Sequence, residues 1–493
     1  MLQSVELRQG EVRVRPVPTL PRLVFRHSAT FIGSPDWWRR FEYLVEQERG
    51  LEFHEDLWTP GTFSIPISPG EPVYLVIGVE NAPNGNPAAL IDETAAAIAN
   101  NDPGPAASPA IRRLHVAAET FCATQAPKPG VISGYPWFEV WGRDTLVSLP
   151  GLCLARNKID EAKKVLSALV EQMQDGLVPN RIPDETGVPE YHAADVTLWL
   201  FEVARIYAEK VGYEDGFVRD VLFEPMIGAF EHAIAGTRHN IRVTQDGLFS
   251  ANDPGFALTW MDAKVGDWVV TLRAGLPVEL QALWASACDT VAGLASVFGR
   301  PNLVTRATEA YARAVASFRR RFWCEATGYP FDVISEREGD GAWSDSTIRP
   351  NAVIALAVEP GLFDDEQAAS ILSVAERDLL TPAGLRTLAP NSWGYCARYG
   401  GGVSQRDGAY HQGTVWPFLL GFYVRAVRHL RPNDAAQRDA LVKLVEEAAA
   451  NSSALGQVPE LADAQAPHLP GGCIAQAWSV AELLRALSWD LAP

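Results

Sequence analysis

Six times along this chain a helical run stops at glycine beside a large or polar residue, and a loop carrying Pro or Asn follows. The stretches are GYPWFEVWGRD at 134, GLVPNRIPDE at 176, GLFSANDPG at 247, GYPFDV at 328, GLRTLAPN at 384 and GQVPELAD at 456, spaced by 42 to 81 residues. Each gap has room for about two helices of ordinary length, ~11–12 residues, with their turns. Six helix pairs, each with a special loop at the same end, close into a ring. Such a ring buries its inner helices and gathers six loops at one mouth. The expected fold class is therefore mainly α, an (α/α)6 barrel or six-hairpin toroid. Glycine in a left-handed cap also ends many ordinary helices, so a plain helical protein with common stops is the competing reading.

Helical periodicity dominates from about residue 109. In DEAKKVLSALVEQMQDG, Ala162, Val165, Leu166, Leu169, Val170 and Met173 recur at helical spacing; Asp160 is placed to cap the start and Gly176 to end it. VTLWLFEVARIYAEKVG, PVELQALWASACDTVAGLASVFG, LVTRATEAYARAVASFRRRFW, DAAQRDALVKLVEEAAANSSALG and IAQAWSVAELLRAL read the same way. The first ~80 residues are different: short, β-branched and broken by Pro and Gly. Phe63, Ile65 and Ile67 alternate there, and SPGE makes a turn before PVYLVIGV. The expected organisation is a partial β-rich domain over 1–82, a linker over 83–108 with a short helix in LIDETAAAIAN, and the helical barrel over 109–493.

A formal charge of −18 disfavours nucleic acid and anionic membranes, which call for clustered Lys and Arg. It suits a neutral or cationic small ligand. The six Cys (122, 153, 288, 324, 396, 473) form no C-x-x-C, and most read as buried small hydrophobes in helical contexts. The nine His form no H-x-x-x-H, so no metal site is expected. The start has no basic region followed by an apolar run, and no stretch approaches the ~20 apolar residues of a membrane helix. The expected compartment is the cytoplasm. The 15 Trp and 12 Tyr read singly as core; as a set they suit a sugar site, where aromatic faces stack on pyranose rings.

If the loops converge, they bring together Trp137, Trp141, Arg143, Asp144, Asn180, Arg181, Asp195, Trp260, Asp262, Arg386, His411, Gln412, Trp416 and Glu460. Aromatic, carboxylate and amide groups with little Lys describe a carbohydrate pocket. Glycoside hydrolysis asks for two carboxyls, ~6.5–9.5 Å apart if water attacks directly and inverts the anomeric centre. Asp262, in TWMDA, has apolar sequence neighbours of the kind that raise a carboxyl pKa. Taken alone it reads more readily as a capping or turn Asp, since loop Asp residues mostly cap or turn. In WGRDT, the adjacent guanidinium should lower the Asp144 pKa and favour a fixed hydrogen-bonding clamp.

In order from 131 to 488, GYPWFEVWGRDTLVSLPGL, GLVPNRIP…YHAADVTLWL, LTWMDAKVGDWVVTLRAGLPVELQALW, STIRPNAVIAL, YHQGTVWPFLLGFYVRA and GCIAQAWSVAELLRAL resemble the C-terminal amylo-α-1,6-glucosidase domain of glycogen debranching enzymes. DLWTPGTFSIPISPGEPVYLVIGVE resembles the end of the β-rich domain that precedes it in short members, and no glucanotransferase barrel fits in this length. The resemblance implies an inverting exo-α-glucosidase on an (α/α)6 barrel, acting on α-1,6-linked stubs of an α-glucan. It implies that Asp262 is the general acid, Glu460 the general base, and Arg143 and Asp144 the clamp on the terminal glucose.

Trp137, Trp141 and Trp260 then wall the pocket, with core packing the alternative for each. His411 and Gln412 bond hydroxyls or buttress the base, with a structural His the equal alternative, and Trp416 is a further substrate-binding candidate. Asn180, Asp195, Arg273, Glu279 and Gln281 are second-tier candidates for substrate binding. The chain departs from the family at VPELAD, where Ser-Glu-Ile-Phe-Asp is usual, and at VVTLRAG, where Pro commonly precedes Arg273. The alternative functions are a hydrolase of another small α-glucoside and a glycan-binding protein without catalysis. An epimerase would want His-based proton transfer, and the loops are poor in His. Acid–base hydrolysis needs no cofactor, and none is expected.

Overall fold

The computed structural model describes residues 4–83, 85–123, 129–253, 255–451 and 456–492. It divides into two compact units: Met1–Asp102 with Gly401–Val403, and Pro103–Gly400 with Ser404–Pro493. The chain is mainly helical with a β-rich N-terminal region, as its periodicity predicts. Among the described residues no helix is long and apolar enough to cross a membrane.

In the first unit, strands β1 (Ser4–Arg8), β2 (Glu11–Arg15), β3 (Leu23–His27) and β6 (Leu75–Val79) form an antiparallel sheet in the order β1-β2-β3-β6. Strands β4 (Thr30–Glu42) and β5 (His54–Ser64) pair separately as a long hairpin with two register shifts. Phe63 lies near the end of β5, but Ile65 and Ile67 lie beyond it. Pro66 and Pro69 donate no ladder hydrogen bond, so the expected alternation stops short. A helix over Pro87–Asn100 starts three residues before the expected one; Asn86 caps it and Pro87 opens it.

The second unit carries, among the described residues, twelve helices of eight residues or more: α1 (Pro109–Ala118), α2 (Gly142–Leu149), α3 (Ile159–Val170), α4 (Val196–Val211), α5 (Phe223–Ala235), α6 (Val278–Val297), α7 (Pro301–Arg321), α8 (Asn351–Val358), α9 (Asp365–Asp378), α10 (Leu419–Leu430), α11 (Ala435–Ala450) and α12 (Ala477–Arg485). The even-numbered helices pack in a cycle: α2 on α4, α4 on α6, α6 on α8, α8 on α10, α10 on α12, and α12 back on α2. Every residue of α2 and α8 is buried, and nearly every one of α12. A helix buried on all sides must be covered on all sides. The odd-numbered helices supply that cover and are amphipathic: α7 buries Leu303, Ala307, Ala310, Ala314 and Phe318 at helical spacing and leaves most of its arginines outside.

Several local expectations are corrected. The N-cap of α3 is Lys158, not Asp160, which sits in the first turn near the positive end of the helix dipole. The helix ends at Val170, and Gly176 (φ 75°) instead serves the tight turn in which Gln174 and Leu177 exchange hydrogen bonds. Helix α11 ends at Ala450; residues 452–455 of the expected helix lie outside the described ones. Of the six Cys, Cys153, Cys288, Cys324 and Cys473 are buried, but only Cys153 and Cys288 are helical.

Candidate active site

The connections that enter the even-numbered helices are long, and those that leave them are short. Residues 119–141, 171–195, 236–277, 322–350, 379–418 and 451–476 precede α2, α4, α6, α8, α10 and α12 respectively. Arg143 and Asp144 belong to the first turn of α2 rather than to a loop, and Asp195 is the N-cap of α4. Their side chains therefore meet those of the long loops at the N-terminal ends of the cycle.

One pocket there, about 100 Å³, is lined by Trp141, Arg143, Asp144, Trp260, Asp262, His411, Trp416 and Glu460, all named from the sequence. Arg143 is its electrostatic centre. Its Nε and Nη2 donate to Asp195 at 2.7 and 2.9 Å, and its Nη1 donates to Asp262 at 2.8 Å. Burial opposes the Arg143 charge, but Asp195 and Asp262 outweigh it and raise its pKa. Arg143 and Asp195 are 3% and 2% exposed, whereas the Asp262 side chain keeps 31% of its surface. Asp262 is thus enclosed by protein yet open to the pocket.

The state of the three acids that line the pocket turns on burial. It raises the Asp262 pKa, with Arg143 pulling the other way. It pushes Asp144 up to about 7 against the pull of Arg143, helped by repulsion from Asp262 and Glu460. The expected lowering of Asp144 is therefore corrected. Consecutive helical residues do not face each other, and the Arg143 guanidinium turns to Asp195 and Asp262 instead. Asp144 accepts from Gln476 Nε2 at 3.2 Å. Burial likewise pushes Glu460 up to about 7, opposed by a hydrogen bond from the Tyr410 hydroxyl to Oε1 and one from the Cys473 N–H to Oε2 at 2.8 Å. Gly472 (φ 67°) lies so close behind that carboxylate that a Cβ there would overlap Oε2.

The aromatic walls interlock. Trp260 Nε1 donates to Asn351 at 2.8 Å, and its ring stands edge-on to His411, Trp416 and Phe418. Met261, fully buried, lies against Asn351 and Arg349. The sequence neighbours of Asp262 thus anchor its loop in the core. His411 is buried and stacked on Trp416, and burial lowers its pKa well below the usual imidazole value. It is neutral at physiological pH.

Other expected residues stay outside the pocket. Trp137 is 50% exposed. Asn180 is buried and its carbonyl accepts from Gly142 N, which holds the start of α2. Asp195 acts through Arg143. Gln412 bridges Arg349 and Thr271. Arg273 sits between Glu279 and Asp332, all buried, and Gln281 braces the Phe249 backbone. Sequence reasoning missed Phe138, Tyr410, Gln476 and Trp478, which also line the pocket. All four lie inside the family-like stretches, but an aromatic or amide beside a chemically louder residue carries no signal of its own.

A larger cavity, about 580 Å³, opens at the C-terminal ends of the same helices. Its arginines include Arg205, occupied by Glu202 and Glu209, and Arg425, occupied by Glu482 and Asp490. The smaller pocket holds the carboxyls of Asp144 and Glu460, which accept from Gln476 and from Tyr410 and the Cys473 N–H rather than from a cation. Elsewhere, Cys122, Cys153 and Glu161 bring potential metal-ligand atoms within 4.8 Å of one another. The two sulfurs are 3.7 Å apart, and their hydrogen bond, with burial, raises the Cys153 thiol pKa, which favours thiol over thiolate ligand.

Residues 116–485 match the amylo-alpha-1,6-glucosidase family, and residues 1–74 match the glycogen debranching enzyme N-terminal family. The chain belongs to the amylo-alpha-1,6-glucosidase family. It is thereby a glycoside hydrolase of that family, and the pocket lies within the matched region. A curated relative of this amylo-alpha-1,6-glucosidase family member, the glycogen debranching enzyme of Saccharomyces cerevisiae, is 26% identical over 388 residues, covering 61% of this chain and 25% of that enzyme. The chain thus spans about a quarter of the length of that relative. Among solved structures, the GH63 mannosylglycerate hydrolase of Thermus thermophilus superposes with a TM-score of 0.54 at 15% identity, over 77% of this chain and 100% of that one. An uncharacterized conserved protein from the same organism gives 0.53 at 14% identity, over 78% of this chain and 100% of its own. These two likenesses concern the fold.

Proposed function

We propose that residues 109–493 form a six-hairpin (α/α)6 toroid, preceded by a partial β-rich domain over 1–82 and a linker over 83–108. We further propose that its pocket is that of an inverting exo-α-glucosidase releasing glucose from α-1,6-linked stubs of an α-glucan. The cyclic packing of the even-numbered helices supports the toroid. One observation carries the chemistry. Asp262 and Glu460, far apart in sequence, line the same aromatic-walled pocket, and burial raises both carboxyls.

In this reading the terminal glucose lies against Trp141, Trp260 and Trp416, with Arg143 and Asp144 bonding its hydroxyls. Asp262 gives its proton to the glycosidic oxygen as the bond to C1 breaks. Glu460, its orientation fixed by Tyr410 and the Cys473 N–H, takes a proton from the water that attacks C1 from the other side. Oxygen leaves as an alcohol and glucose forms as the β anomer. Burial lowers the pKa of His411 and of His192, which lies in the loop before α4, and neither imidazole is needed as an acid.

A second substrate class, another small α-glucoside, is kept by the loop around Glu460, where VPELAD replaces the family's usual flanks. Proton NMR of fresh product from limit dextrin beside a panel of small α-glucosides tests both. β-Glucose from limit dextrin supports the first reading, and turnover confined to a small glucoside supports the second. α-Glucose appearing first rejects inversion. Asp262→Asn and Glu460→Gln should each lower kcat by about 10²–10⁴, the usual worth of a general acid or base. Near-wild-type rates in both would remove the assignment.

A further inference from the structure

The free pocket poses a contradiction for a general acid. Asp262 must carry a proton when the glycosidic bond breaks, yet it accepts a 2.8 Å hydrogen bond from a guanidinium, which favours the carboxylate. The other two donors of that guanidinium are fixed on Asp195, and both partners are buried. Nη1 is the arm that reaches Asp262, which lines the pocket.

We propose that Arg143 is the positioning residue that sets the proton on Asp262: it holds Asp262 as a carboxylate in the free enzyme, and a glucosyl hydroxyl arriving in the pocket takes over Nη1, so that Asp262 binds a proton from solvent. The inference rests on the reading of Asp262 as general acid. The charge count supports it. Arg143 with two carboxylates carries a net charge of −1, tolerable while water reaches Asp262. A bound sugar excludes that water, and burying net charge is costly. Protonation of Asp262 leaves the neutral, bidentate Arg143–Asp195 pair intact. One proton enters from solvent when the sugar binds, and the same proton is the one later given to the leaving oxygen.

The charged and titratable groups facing Asp262 are Arg143 and Asp144 from α2, His192 and Asp195 from the loop before α4, His411 from the loop before α10, and Glu460 from the loop before α12. Burial lowers both imidazoles, so at pH 8 they are neutral and silent. Asp144 and Glu460 remain as competing destinations for the proton, and the experiment must separate them.

Titration calorimetry with a sulfur-linked isomaltoside at a pH midway between the basic limbs of kcat/KM and kcat, in buffers of different ionisation enthalpy, counts the protons taken up on binding. For limbs about one to three pH units apart, the expected result is an uptake of about half to nearly one proton in the intact chain and near zero in Asp262→Asn. No uptake in the intact chain overturns the proposal, and so does uptake that persists in Asp262→Asn, because the proton then goes elsewhere. Kinetics give an independent reading, since kcat/KM reports the free enzyme and kcat the complex. Loss of an opposite charge at hydrogen-bond distance should move the basic limb of kcat above that of kcat/KM by about one to three pH units. Coincident limbs also overturn it. If Asp262→Asn keeps full turnover, the acid assignment itself fails, a result distinct from either of these.

Discussion

Asp144→Asn should stabilise the protein at alkaline pH while impairing it as an enzyme. The unfolded Asp144 carboxyl ionises near 3.8, and in the folded pocket burial pushes it up to about 7. At pH 8 the folded protein must therefore hold a carboxylate where it prefers an acid. Roughly three pH units at about 1.4 kcal/mol each give a penalty on the order of 4 kcal/mol. The sign follows from linkage. Because the folded pKa is raised, no penalty exists below about pH 4; it grows between pH 4 and 7 and is constant above. Asparagine keeps the Oδ1 acceptor for Gln476 Nε2 and never ionises, so the variant escapes the penalty.

For 493 residues at about 2.1 cal/mol/K each, the unfolding entropy is about 1 kcal/mol/K, so 4 kcal/mol corresponds to a gain in Tm of about 4 °C. Differential scanning calorimetry of the two proteins at about pH 4, 6 and 8.5 should show a difference that starts near zero and grows to that size. The same variant loses a charged acceptor for a sugar hydroxyl, and kcat/KM should fall by about tenfold or more. A difference in Tm that does not change with pH, or a variant less stable at the alkaline end, would refute the argument that burial dominates Asp144.

Two further substitutions probe the neighbours. Tyr410→Phe removes the hydroxyl that donates to Glu460 Oε1; a hydrogen bond to a charged group is worth about 1.5–3 kcal/mol, so the acidic limb of the pH–rate profile should rise by about one to two pH units. An unmoved acidic limb would show that Tyr410 does not orient the base. Arg273→Met leaves Glu279 and Asp332 buried without their shared cation; a loss of about 3–5 kcal/mol is expected, read as a lower Tm at pH 7, and an unchanged Tm would mean that the ion pairs contribute nothing to stability.

The fold was legible because its signal is periodic. Long amphipathic runs, separated by glycine stops and loops, specify paired helices whatever their distant partners are. The site was legible only where a residue is chemically loud. Asp262 and Glu460 are carboxyls set among apolar sequence neighbours, Met261 and Ala263 for the one, Pro459 and Leu461 for the other, and both line the pocket. Pairing was not legible. Arg143 and Asp144 look like partners because they are adjacent, but adjacent helical side chains diverge by about 100°. The true partner of Arg143 is Asp195, 52 residues away at the start of another helix. Trp137 shows the opposite error: an aromatic in a promising loop, half exposed and outside the pocket. Tyr410 was passed over beside His411, although its hydroxyl, not the imidazole, reaches Glu460.

The crowding of acids around one guanidinium is itself a solution to the chemistry. Arg143, Asp144, Asp195, Asp262 and Glu460 would carry a net charge of −3 if all ionised, inside a pocket that burial makes hostile to charge. Burial therefore favours protonation within the pocket, and the titration belongs to the set rather than to any one member. Inversion requires one carboxyl with a proton and one without at the same pH. Asp195 has the guanidinium bidentately. Glu460 has two neutral donors and can hold a negative charge when it must. Asp262 has only the third arm of Arg143, and it is the member whose anion loses most when a sugar arrives. That ranking is the one the proposed mechanism calls for.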